Sequence, residues 1–135
     1  MTERETVPVA RTGGERLRRV VPGRTAYLRC EGVPLVSGPF PCPRDREMER
    51  EVWKILSGLA DCSRDDCGFG QVDVRMDYKR GEQTLVRILR PSRSDSAVNG
   101  EAVYECVGEP LTSIPTTLDP EYMVVSFRFE LQRVP

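Results

Sequence analysis

The chain has 135 residues, of which 20 are Lys or Arg and 21 are Asp or Glu, for a formal net charge of −1. That length has room for one domain, and a near-neutral total argues against a nucleic-acid binder, since such domains are usually clearly basic. Histidine is absent, which removes the commonest general acid–base, the commonest metal ligand and every Ser–His or Cys–His nucleophile.

Residues 1–24, MTERETVPVARTGGERLRRVVPGR, mix Thr, Glu, Arg, Gly and Pro without periodicity and read as a flexible, arginine-rich arm. Residues 1–30 hold seven Arg and three Glu, a balance of +4, whereas residues 101–135 hold two Arg, five Glu and one Asp, a balance of −4. A single domain is expected over 25–135. Residues 25–29 suit a short strand with Ala26 and Leu28 on one side. The segment 30–43, CEGVPLVSGPFPCP, holds four Pro and two Gly and is expected to be a loop. A Cys30–Cys42 bridge would staple it, worth about 3 kcal/mol in the chain-entropy account.

A first helix is predicted over 45–60, with Asp45 as its N-cap. Met48, Val52, Ile55, Leu56 and Leu59 form its apolar stripe, Trp53 sits at the edge, and Glu47, Glu49, Arg50, Glu51 and Lys54 face water. After a Cys- and Asp-rich turn, Val72, Val74, Met76 and Tyr78 alternate with Asp73, Arg75 and Asp77, the period of a strand with one wet face. Gly81 supplies a turn, and a returning strand over 84–89, apolar on both faces, completes an antiparallel hairpin. Asn99 caps a second helix from Gly100 to about Val107, buried through Ala102, Val103, Cys106 and Val107 and ended by Gly108 and Pro110. The final strand, 122–131, points Met123, Val125, Phe127, Phe129 and Leu131 one way. The expected fold is α+β in the order α-β-β-α-β, a three-stranded antiparallel sheet with two helices on one face.

Little in these elements resembles an active site. Asp61, Asp65 and Asp66 lie near Arg64 without the spacing of a calcium loop and read as a solvated turn. Gly68-Phe69-Gly70 lacks the strand–Gly–helix setting of a dinucleotide fingerprint. Four residues separate Cys62 from Cys67, too wide for a zinc knuckle or a redox CxxC pair. Ser57, Ser94 and Ser126 have no base to activate them. The chain is therefore expected to be non-enzymatic, with no metal, cofactor or small-molecule substrate. No apolar run approaches the roughly 18 residues of a membrane span, and no signal-like stretch follows Met1. That leaves either a cytosolic chain or a fragment cut from its targeting segment.

Several motifs, spread over about 47–133, resemble the carboxyl-terminal domain family of TonB, the envelope energy-coupling protein. The similarity is greatest to the TonB-like domains that end certain bacterial gliding-motility proteins. The helix WKILSGLADC ends in a cysteine and is followed by a GxVxVxMxxxxGE pattern from Gly70 to Glu82; NGEAVYECV brings Cys106, and MVVSFRFEL resembles the family's last strand. The chain departs from the family at Ile114-Pro115, where an aromatic-Pro segment is usual. The resemblance implies a periplasmic or envelope protein-interaction module that holds a partner's extended segment against a sheet edge. Tyr122, Val124, Ser126 and Arg128, on the other side of the last strand, are the candidate contacts; the plain alternative is that this strand, through its inward side chains, is merely interior core.

With both helices on one sheet face, Cys62 and Cys106 can meet across that layer, and the resemblance implies the same pairing. The opposing arrangement bridges Cys62 to Cys67 and leaves Cys106 a small buried hydrophobe. In the first case Cys67, in an exposed polar turn, is the odd thiol. A second function class rests on Arg16, Arg18, Arg19 and Arg24: a cytosolic regulatory domain whose arm contacts an acidic protein or, less in keeping with the total charge, nucleic acid. The plain alternative for these arginines is a soluble linker.

Overall fold

The computed structural model describes residues 17–33, 43–90 and 97–134. Its elements run β1 (Arg18–Glu31), α1 (Arg46–Ser57), a 3-10 turn (Gly58–Asp61), β2 (Gly70–Lys79), β3 (Leu85–Leu89), α2 (Gly100–Thr112) and β4 (Tyr122–Arg133). The alternation of β4 organises the whole. Met123, Val125, Phe127, Phe129 and Leu131 are buried on one face, where Val72, Val74, Met76 and Tyr78 of β2 join them. Met48, Val52 and Leu56 of α1 and Ala102, Val103, Val107 and Leu111 of α2 close over that layer. Trp53 stands edge-on to Phe127 and Phe129, with ring centroids 5.6 and 6.3 Å apart.

The sheet corrects the expected architecture. It has four antiparallel strands in the order β1-β4-β2-β3, so the element order is β-α-β-β-α-β. Residues 18–24, expected in the arm, belong to β1, and the short strand expected at 25–29 is only part of it. The features that suggested a flexible arm are those of a managed edge strand. Pro22 and the register shifts after Pro22 and after Tyr27 interrupt pairing with β4, and exposed Arg19, Arg24 and Arg29 charge the edge. Bracketed by β1 and β2, β4 is interior and offers no free edge.

Helix α1 begins as its sequence predicts, with the Asp45 side chain accepting from Met48 N. Glu49, expected in water, is buried and bonded to Tyr27 and Arg44. Helix α2 continues past Gly108 and through Pro110 to Thr112, because the extra turn buries Leu111 completely. Among the described residues no helix is long and apolar enough to cross a membrane.

Candidate binding face of the sheet

Cross-strand partners in an antiparallel sheet share a face, so the register defines the surface opposite the helices. Its central rows read Ser126–Arg75–Arg87, Arg128–Asp73–Leu89 and Val124–Asp77–Leu85 across β4, β2 and β3. Asp73 and Asp77 were expected to be solvated, yet they are 1% and 7% exposed. Arginines lie across them. Asp73 accepts from Ser126 Oγ at 2.6 Å and from Arg75 Nη2 at 3.1 Å, with Arg128 Nε 3.5 Å away. Asp77 takes Nη2 of Arg87 on both oxygens, at 3.0 and 3.2 Å, and the Tyr122 hydroxyl at 3.4 Å. At the end of this face Arg29 and Lys79 lie over the Tyr122 ring, 4.1 and 4.8 Å from its centroid.

Six cations sit at register positions of this face (Arg19, Arg29, Arg75, Lys79, Arg87, Arg128) against four carboxylates (Glu31, Asp73, Asp77, Glu130). Arg24, exposed at the interruption of β1, borders a shallow groove with Val21, Gln71, Arg128 and Glu130. The opposite side of the molecule is acidic along α2, where Glu101, Glu105 and Glu109 are exposed at helical spacing.

The expected site residues fall into different places. Tyr122, Val124, Ser126 and Arg128 lie on this face as outward residues of β4, but on an interior strand; Val124 and Ser126 are themselves buried. Arg18 does not belong to a binding arm. It is 2% exposed, and its guanidinium donates to the carbonyls of Leu59, Cys62 (3.2 Å) and Arg64, tying β1 to the end of the 3-10 turn. Arg19 is exposed and donates to Gln132 at 2.7 Å. Arg16 and Cys42 lie outside the described residues.

Cys62 and Cys106 form a disulfide with Cα atoms 6.1 Å apart. Cys30 is also disulfide-bonded. Cys67 is free but fully buried rather than exposed, and burial pushes its thiol up. Its turn is drawn inward because Asn99 N donates to Cys67 O and Ala97 N to Phe69 O, at 2.7 and 2.9 Å.

A second polar cluster joins β1, α1 and the segment before β4. Burial alone would raise the Asp45 carboxyl, but donors from Thr116 and Thr117 outweigh it and hold it below the ordinary aspartate range. Glu49 is likewise lowered, with Arg44 and Tyr27 prevailing over burial. Burial and the bond to Glu49 push the Tyr27 phenol up. These groups are bound to one another, which is the arrangement of a structural joint. Among the described residues no cluster of three or more His, Cys, Asp or Glu is placed to hold a metal.

Sequence reasoning missed Asp73, Arg75, Asp77 and Arg87 as a set. The Asp-Arg-Asp alternation in β2 was a usable signal, but Arg87 joins it only through the register of β3. No family model, no curated protein and no solved structure matches the chain.

Proposed function

We propose that the protein is a non-catalytic protein-interaction module, and that the face of the sheet opposite the helices is its contact surface. The observation that carries this reading is the arginine lattice on that face. Arg75, Arg87 and Arg128 keep 30, 40 and 52% of their side chains exposed above two buried aspartates, although the helices all pack on the other side. Edge pairing by β4 is no part of the proposal, since that strand is interior. A photo-crosslinking residue at Gln71 or Leu89, in the full-length protein within the organism that encodes it, is expected to give a discrete protein adduct. The same residue at Glu109 on α2 is expected to give none. No adduct from the sheet face, or equal adducts from both sides, overturns the reading.

We further propose that the module works in a bacterial envelope assembly of the motility or transport kind. The Cys62–Cys106 bridge supports this, because structural disulfides persist in oxidising compartments. Acid-quenched cells should yield Cys62 and Cys106 protected from alkylation until reductant is added. Finding both alkylated at once removes the envelope assignment.

A further inference from the structure

Two arginines stand directly opposite one another on the sheet's second face, one on β2 and one on the edge strand β3. Arg75 and Arg87 are cross-strand partners in the β2–β3 pairing, an arrangement of like charges that weakens a sheet. Each is turned aside to an aspartate: Arg75 bonds Asp73 through Nε and Nη2, and Arg87 bonds Asp77 through the same two nitrogens. One side of each guanidinium is thus fixed by a buried carboxylate, and Nη1 of each is left without a described partner. Arg128 completes the group from β4, with its Nε 3.5 Å from Asp73 among the described residues. A guanidinium pinned on one side presents its remaining donors with little further loss of rotamer freedom.

We propose that this arginine group binds an acidic protein segment whose carboxylates bridge Arg75 and Arg87 and reach Arg128. The inference rests on the interaction-module reading and names its partner. Charge complementarity chooses the occupant. The face carries a cation excess while the chain as a whole carries −1, so attraction is local and suits discrete carboxylates placed between guanidinium groups. A nucleic-acid strand fits less well, because base stacking needs a free aromatic face. Tyr122, the aromatic side chain that the described residues place at the end of this face, is already covered by Arg29 and Lys79 and is not free to stack a base.

The test uses the full chain with its disulfides intact and a fluorescein-labelled octaglutamate as the probe, with octaglutamine as control, followed by anisotropy at low and high salt. Octaglutamate is expected to bind, to weaken as salt rises, and to shift the NMR signals of Arg75, Arg87 and Arg128; octaglutamine is expected not to bind. Arg87→Gln should weaken binding roughly tenfold, the scale of one charge-assisted bidentate contact. Because Arg87→Gln strands Asp77, the pair Asp77→Asn with Arg87→Gln removes both charges together and should weaken binding by the same factor in a folded protein. Unchanged affinity in that folded double variant overturns the proposal, as do NMR shifts confined to other surfaces. Single-stranded DNA of equal charge binding more tightly than octaglutamate also overturns it, in favour of a nucleic-acid partner. A crosslinked cellular partner without an acidic segment sinks this inference and leaves the interaction-module reading intact; failure of crosslinking removes both.

Discussion

Both oxygens of the Asp45 carboxylate face donors. Oδ1 accepts from Met48 N and Thr117 Oγ1, and Oδ2 from Thr116 Oγ1 and Thr117 N, all between 2.6 and 3.2 Å. Asparagine can still cap a helix, but its amide nitrogen would point at donors whichever way it turned. Asp45→Asn should therefore cost about 1–3 kcal/mol in urea unfolding, the range for buried groups left unsatisfied. The depressed folded-state value of Asp45 fixes the sign of the pH effect. Near pH 4 the unfolded chain binds more protons than the folded one, so stability is present above the ordinary carboxyl range of about 4 and is lost as pH falls through the folded value. Wild type should lose stability on acidification more steeply than Asp45→Asn; parallel curves would refute the assignment. Gly68 is as demanding for a steric reason. Its φ is +81° and an added Cβ would sit 2.1 Å from Ala97 O, so Gly68→Ala should destabilise by roughly 2–4 kcal/mol, combining strained backbone with a backbone clash. A calorimetric midpoint equal to wild type would contradict that geometry.

Among the elements, β1 turns on the difference between two adjacent arginines. Arg18 faces the helix side and holds three carbonyls at the end of the 3-10 turn; Arg19 faces the second side and touches one glutamine. Arg18→Met keeps the apolar length but strands those carbonyls, and a loss of about 2–4 kcal/mol is expected, the scale of several charge-assisted bonds. Arg19→Ala should stay within about 0.5 kcal/mol, as surface substitutions do. Denaturant midpoints for the two variants decide it, and equal effects would mean that Arg18 is not a structural clasp. In α2, Gly108 has a comparable local reason: a Cβ there would lie 2.6 Å from the Tyr104 ring, which folds back over it. The helix therefore passes through a residue that reads as its terminator.

At the scale of the whole molecule, the Cys62–Cys106 bridge spans 44 residues and joins the end of the α1 region to the middle of α2. Constraining a loop of that length is worth about 4 kcal/mol in the chain-entropy account. That is a large part of the 5–15 kcal/mol typical of a domain, and of the lower end for a small one. Cys62→Ala with Cys106→Ala should lower the unfolding free energy by about 2–4 kcal/mol and make the protein far less sensitive to added reductant. If reductant destabilises the double variant as much as wild type, the bridge is not the redox-sensitive link. The charge layout is also a property of the whole. The sheet face opposite the helices holds more cations than carboxylates and α2 exposes a row of glutamates, a distribution that neither the net charge nor the excess of arginine near the amino terminus describes.

Local periodicity determined the α+β class, the Asp45-capped start of α1, the β2–β3 hairpin and the inward stripe of β4, because each depends on neighbours within a turn or a pleat. The tertiary structure alone decided how those pieces neighbour one another. An edge strand need bury only part of its length, so β1 could carry Pro22, Gly23 and several arginines and show no apolar alternation to read. Its pairing moved β4 from edge to interior, and with it the surface on which Tyr122 and Arg128 lie. Cys67 and Asp73 look exposed by composition, yet one is drawn under the turn by Asn99 and the other is covered by arginines from β2 and β4. Cross-strand register sets such contacts, and register is a choice between segments far apart in the chain, to which no single segment's pattern refers.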